Sequence, residues 1–287
     1  MTGPNLTTAA RGPAAGGTVT RKREGGGATG TAGLPPNGTP HLSHSRINRY
    51  LHCPEQYRLY YVEGLRPRYP SASLVFGQIV HQALAALFQN GEDPVAVFQR
   101  TWQATREVKL TYGQRDSWEK LSKAGEALLA KFVEEELPRL TNVTASEKDF
   151  TLDITSLDLP FVGIIDLVAD LDRKRTVVDF KTSASAYKDH EALMSDQLTA
   201  YGLAEPEAAQ AALCVLVKSS NPQIEWHITR GTSDRLSEYL TKVQMVEGNI
   251  AARRFYKRSG MWCGWCDFLP VCLGDQEKIR QTLIHVK

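Results

Sequence analysis

Two aspartates and a lysine carry the densest chemistry in this sequence. Asp166, Asp179 and Lys181 all fall within Phe161–Lys181, FVGIIDLVADLDRKRTVVDFK. Phe161–Leu171 is mostly apolar, as expected of a strand covered on both faces. Thr176–Lys181 is short and rich in β-branched residues, a second strand. Asp172-Arg173-Lys174-Arg175 is the polar run available for a turn. With Asp172-Arg173 as the loop, Asp166 faces Asp179, their β-carbons roughly 4.5–5.5 Å apart. Lys181 lies two residues on and emerges on the same sheet face as Asp179. A one-residue slip would separate the aspartates. Paired carboxylates in an apolar sheet resist ionisation, and a bridging divalent cation relieves that conflict. Hard oxygen ligands point to Mg²⁺ or Mn²⁺. The same residues also fit a hairpin with an ordinary salt bridge at its open end.

A second grouping is Cys263-x2-Cys266-x5-Cys272, with Trp262, Gly264 and Trp265 interleaved. A CxxC turn aims two thiolates at one point, and a third cysteine five residues on supplies another corner. Cys53 and Cys214 remain for the fourth. Cys214 lies in the apolar run LCVLV and reads as a small hydrophobe, whereas Cys53 sits in a Tyr-rich, Pro-flanked helix end, so Cys53 is expected to complete the set. Such a cluster would clasp the N- and C-terminal segments together. The spacing suits structural Zn²⁺ and [4Fe–4S] alike. Five cysteines, an odd number with a CxxC among them, suit a reducing compartment, and the cytoplasm is the default.

These groups need a scaffold. The chain has 287 residues, 42% hydrophobic and 23% charged, enough for one globular domain with a core. Residues 1–40 differ: they hold ten of the 22 glycines and five of the 14 prolines. That composition cannot bury enough apolar surface to offset chain entropy, so a disordered tail is expected, with residues 41–287 as a single domain. The tail takes four of the 34 basic residues and one of the 32 acids. The remainder is nearly neutral, and any nucleic-acid footprint must be a local patch. No apolar run reaches membrane-spanning length, no signal-peptide core is present, and no GxxxxGK[ST] loop of a motor occurs.

Ser43 or Ser45 can cap a helix through Ile47, Tyr50 and Leu51, and a second stretch from Glu55 presents Tyr57, Tyr60 and Tyr61. A stronger helix, Leu74–Gln89, carries Gly77 and His81 one turn apart. Taken alone, His81 reads as a half-buried histidine. Helices follow over Val95–Thr105 and Trp118–Leu140, then a strand over Phe150–Ile154. Beyond Lys181, a helix of Glu191–Leu203 places Gln197 and Tyr201 on one face. Leu213–Val217 and Ile224–Ile228 form a second hairpin, and Ser233–Tyr256 a long closing helix.

Taken together, His81, Gly163-Ile164-Ile165-Asp166, Asp179-Phe180-Lys181 and Gln197-x3-Tyr201 resemble the PD-(D/E)xK nuclease superfamily, in its RecB-like exonuclease branch. Asp179 stands where Glu is commoner. The split set Cys53, Cys263, Cys266 and Cys272 is similar to the iron–sulfur clasp of AddB-type and CRISPR-adaptation nucleases. The resemblance implies an α/β fold: a restriction-endonuclease-like core with a central mixed β-sheet flanked by helices, its terminal helical segments clasped by a metal cluster. It implies metal-dependent hydrolysis of DNA phosphodiesters, on ends or single strands, in repair, recombination or spacer processing. Asp166 and Asp179, with His81 and the Phe180 carbonyl, would hold one or two Mg²⁺ or Mn²⁺ ions, and Lys181 would orient water and stabilise the transition state. Gln197 and Tyr201 would hold the DNA backbone or Lys181. Any helicase, recombination or CRISPR-adaptation partner would be a separate chain. The competing expectation is an inactive DNA-binding accessory subunit stabilised by an iron–sulfur or zinc cluster.

Overall fold

Asp172 and Arg173 take the left-handed backbone, with φ of 49° and 68°, as a tight two-residue hairpin turn requires. The turn sets the register anticipated from the sequence from Leu171 opposite Lys174 to Leu167 opposite Val178, but the ladder ends there and the expected Asp166–Asp179 pair does not form. A computed structural model describes residues 19–21, 40–219 and 221–286. Apart from Val19–Arg21 and residue 40, the tail expected over residues 1–40 lies outside the described residues.

In chain order the elements are β1 (Val19–Arg21), α1 (His44–His52), α2 (Pro54–Tyr57, continued by a wide helical turn over Arg58–Val62), β2 (Leu65–Pro67), α3 (Ala72–Asn90), α4 (Pro94–Gln103) and α5 (Trp118–Lys131). Then come β3 (Leu140–Ile154), β4 (Phe161–Leu171), β5 (Lys174–Ser183), α6 (Asp189–Leu193), α7 (Asp196–Ala204), β6 (Gln210–Val217), β7 (Gln223–Thr229), α8 (Ser233–Ala251), α9 (Leu269–Leu273), α10 (Gln276–Thr282) and β8 (Leu283–His285). Six strands form one sheet in the order β1-β3-β4-β5-β6-β7. Only β5 and β6 within it run parallel, and α6 with α7 supplies the crossover that a parallel pair needs. The central mixed sheet flanked by helices is therefore as expected. Every residue of β6 is buried, which is why its sequence is continuously apolar.

Helices cover both faces. On one, Phe76, Phe98, Trp102 and Phe132 of the α3–α5 side pack on Leu167, Val178, Phe180 and Cys214. On the other, Ile47, Leu198, Tyr239 and Val243 of α1, α7 and α8 pack on Ile165, Val177 and Val215. α3 is long and apolar enough to span a membrane by length and composition, contrary to the expectation that no stretch is. Its Phe76, Val80 and Ala83 are fully buried in the first of these cores.

Four boundaries differ from the sequence expectation. The helix expected over Trp118–Leu140 ends at Lys131, then widens over Phe132–Glu136 and tightens over Leu137–Arg139. Pro138 lacks the N–H that would continue it. β3 is three times the length expected of Phe150–Ile154, beginning at Leu140. The helix expected over Glu191–Leu203 is divided into α6 and α7, because the Ser195 hydroxyl caps α7 by accepting from Leu198 N. α8 stops at Ala251, just before Arg253 turns left-handed with φ 52°.

The N- and C-terminal segments do meet. β2 pairs with β8, the Tyr50 hydroxyl donates to the Arg254 carbonyl at 2.6 Å, and the Phe255 ring stacks on Tyr57.

Candidate metal centre

The β4–β5 ladder ends at Leu167 and Val178. Beyond that point Phe180 N donates not to a strand carbonyl but to the Asp166 carboxylate, at 2.7 Å. The ladder between β3 and β4 is interrupted at the same place: Ser146 pairs with Leu167 and Lys148 with Ile165, skipping Glu147 and Asp166. Glu147 takes a left-handed φ of 50°, uncommon for a residue with a side chain. Ile165 and Leu167, two residues apart, consequently pack into opposite cores. The sheet thus opens around Asp166.

Two clusters occupy the opening. In the first, His81 Nδ1 of α3 stands 3.5 Å from Asp166 Oδ2. Glu147 joins them, so that one ligand atom from each of the three lies within 4.8 Å of the others. Among the described residues this is the one such group of His, Cys, Asp or Glu. Burial, and then the Asp166 charge, push the Glu147 carboxyl up to about 7. Burial alone would lower the His81 imidazole, but the Asp166 and Asp179 carboxylates outweigh it and hold it above its ordinary value.

In the second cluster, Asp179 is 1% exposed and its Oδ2 lies 2.6 Å from Lys181 Nζ. That short ion pair is the one polar contact of the buried Oδ2 among the described residues. Asp179 Oδ1 accepts from the Tyr201 hydroxyl at 3.2 Å, and the same hydroxyl lies 2.7 Å from the Ile164 carbonyl. Gln197 bridges the set: its Oε1 accepts from Lys181 Nζ at 2.9 Å and its Nε2 donates to the Tyr201 hydroxyl at 2.7 Å. Burial raises the Asp179 carboxyl, opposed by Lys181. Burial disfavours the Lys181 ammonium, but Asp179 more than compensates and keeps it charged.

An open groove of about 820 Å³ runs over both clusters, lined by His81, Glu147, Lys181, Thr182, Gln78 and Gln82. α3 lies close to β5 here: a Cβ on Gly77 would stand 3.1 Å from Thr182 Oγ1. Every residue anticipated around the hairpin (His81, Asp166, Asp179, Phe180, Lys181, Gln197 and Tyr201) is thus at one end of the sheet. Glu147 is the residue that sequence reasoning missed. The donor set, an imidazole with several carboxylates, fits a divalent cation. Burial holds the Glu147 carboxyl up and encloses Asp179 with only one cation among the described residues, Lys181, paired to it, and a bound divalent cation would relieve both.

A family model for the PD-(D/E)XK nuclease superfamily matches residues 41–273. The chain belongs to that superfamily. No curated protein matches it. Among solved structures, it is similar to a "putative exonuclease" from Eubacterium rectale, with 16% identity and a TM-score of 0.47 over 75% of this chain and 80% of that one. A second likeness is the structure of SSO0001, with 14% identity and a TM-score of 0.34 over 68% of this chain and 83% of the other.

The cysteines of this PD-(D/E)XK chain are all free. Cys53, Cys263, Cys266 and Cys272 line one cavity of about 270 Å³, while Cys214 is fully buried in β6. Gln56 Nε2 approaches Cys266 Sγ at 3.6 Å, and burial raises the Cys266 and Cys272 thiols. The expected metal cluster is not assembled, however: the four sulfurs do not reach the mutual spacing found at His81. What joins the terminal segments among the described residues is strand pairing, aromatic packing and side-chain hydrogen bonds to backbone carbonyls.

Proposed function

We propose that this chain is a Mg²⁺- or Mn²⁺-dependent deoxyribonuclease that hydrolyses DNA phosphodiesters, acting as an exonuclease on ends or single strands in repair, recombination or spacer processing. The observation that carries this reading is the joining of the His81–Glu147–Asp166 cluster to the Asp179–Lys181–Gln197–Tyr201 network at the open end of one hairpin. A divalent cation held by His81, Glu147, Asp166 and Asp179 would activate water as a Lewis acid and neutralise phosphate charge. The Phe180 carbonyl would be a further ligand.

The chain's own residues do the rest. Tyr201 and Lys181 fix the two oxygens of Asp179, so its carboxylate is preset and undergoes no rearrangement on reaction. Gln197 and Asp179 tether Lys181 Nζ, which has a third proton to offer a phosphate oxygen or the attacking water. The glutamines of α3 line the groove as neutral hydrogen-bonding groups for a backbone. DNA is the partner, and any helicase or CRISPR-adaptation component would be a separate chain. The unpaired cysteines fit a cytoplasmic location.

The test is cleavage of end-labelled single- and double-stranded DNA with Mg²⁺, with Mn²⁺ and with EDTA. Metal-dependent release of short products is expected. DNA binding with no cleavage under any condition would instead make the chain an inactive accessory subunit.

The cavity lined by four cysteines supports a second assignment: Cys53, Cys263, Cys266 and Cys272 hold a structural [4Fe–4S] cluster, with Zn²⁺ the alternative. A four-iron cluster is wider than a single ion and keeps its thiolates further apart. Ligation free energy is folding free energy. Cys53→Ser should therefore strip iron from anaerobically purified protein and lower its melting temperature, while Cys214→Ser leaves the iron in place. A colourless protein containing one zinc would replace the iron assignment.

A further inference from the structure

Trp265, between two of the cavity cysteines, is 78% exposed, and Met261 and Leu273 beside it in the same lobe are 80% and 71% exposed. An indole so far out of the core contributes little to folding. Just before them, Arg253-Arg254-Phe255-Tyr256-Lys257-Arg258 holds four cations and no acid, and the Tyr256 ring is also exposed. None of the four forms an ion pair among the described residues, although Glu55 lines the same cavity as Lys257. Lys257 donates to the Cys272 carbonyl at 3.1 Å, Arg254 to Asn249 Oδ1 at 3.3 Å, and Arg258 to the Leu51 and His52 carbonyls. Each has donors to spare. The Arg258 guanidinium lies 4.6 Å over the Trp262 ring, and Lys257, Arg258, Trp262 and Leu273 share the rim of the cysteine cavity.

Exposed aromatic faces interleaved with cations that form no ion pair are the combination that holds a single nucleic-acid strand, with bases on rings and phosphates on cations. A protein partner would have to supply acids to this segment and an apolar pocket for the indole, whereas a single DNA strand brings phosphates and stacking bases together. We propose that this lobe is a docking surface for single-stranded DNA, in which Trp265 stacks a base while Lys257 and Arg253 contact phosphates. The assignment rests on the nuclease reading and extends it by saying where the substrate strand is held.

The position fits. α1 packs through Ile47 into the same core as Tyr201 of the hairpin network and ends at His52, next to Cys53 on the cavity wall. Nine residues of helix span about 14 Å, which a stacked strand covers in about four nucleotides at roughly 3.4 Å each. A strand lying on the lobe can therefore reach the hairpin.

The test uses the full chain in EDTA, with a fluorescein-labelled twelve-nucleotide oligo-dT and a blunt duplex read by anisotropy. Trp265→Ala should weaken single-strand binding by about tenfold or more, with no change in melting temperature. Trp265→Phe should restore most of it. Lys257→Ala should lower the salt dependence by about one phosphate contact. Unchanged oligo-dT affinity in Trp265→Ala overturns the proposal. So does a wild-type dimer that this substitution dissociates, which would make the face a contact between copies. Because binding is read without metal, a protein that binds as described but never cleaves would refute the nuclease reading alone.

Discussion

The Phe150 ring occupies the space that a side chain on Gly163 would fill: a Cβ built there would stand 2.5 Å from Phe150 Cζ. Phe150 in turn meets Tyr201 edge to face, with ring centroids 6.1 Å apart, and the Tyr201 hydroxyl bonds Asp179. The glycine three residues before Asp166 thus has a steric purpose, seating the ring that braces the Asp179 network.

Gly163→Ala should push Phe150 against Tyr201, lowering stability by about 1–3 kcal/mol as overpacking does and reducing cleavage more than the stability loss explains. Phe150→Leu in the same chain should recover much of both. Thermal melts and end-label assays of the single and double variants measure this. Additive losses in the double variant would show that the two residues act separately.

Removing a carboxylate should act on the metal before it acts on the fold. Asp179→Asn keeps an acceptor for Tyr201 and nearly the same volume, so calorimetric Mn²⁺ binding and cleavage should both be lost while the protein stays folded. Glu147→Gln should weaken Mn²⁺ binding by about tenfold or more. Wild-type Mn²⁺ affinity in Glu147→Gln would remove that residue from the centre.

Lys181→Ala should separate binding from chemistry. Mn²⁺ affinity should persist while kcat falls by about 10²–10³, the scale of one oriented transition-state donor. Gln197→Ala, which removes only the tether, should have a smaller effect. Parallel loss of metal affinity in Lys181→Ala would assign the lysine a structural role.

His44, at the start of α1, should make stability acid-sensitive. Burial, and then the Lys181 charge, lower its imidazole from 6.5 to about 4. The folded chain keeps His44 neutral where the unfolded chain binds a proton, so stability rises with pH in that window. The contribution is complete above about pH 6.5 and is lost as pH falls towards 4, up to about 3 kcal/mol. His44→Asn should flatten this part of a melting-temperature profile against pH, and a profile identical to wild type would contradict the assignment.

The hairpin was legible because its information is local. One apolar run, one polar gap and a short β-branched run fix a two-residue turn, and the turn places Asp166, Asp179 and Lys181 at one end. Gln197 and Tyr201 were legible for the same reason, being one helical turn apart. Glu147 was not. Thr141–Thr144 are all exposed, so the first half of β3 shows no alternation by which to read a strand. The left-handed backbone of Glu147 falls where the pairing with β4, some twenty positions on, is interrupted. His81 became a candidate only through resemblance, since nothing within α3 says which of its residues meets a carboxylate on β4. The cysteine spacing placed three thiols on one short segment. How close Cys53 comes to them depends on how segments two hundred residues apart pack, through Tyr50, Tyr57 and Phe255. Periodicity along the chain determines turns and faces, whereas distances between elements are decided by side-chain packing, which no local pattern encodes.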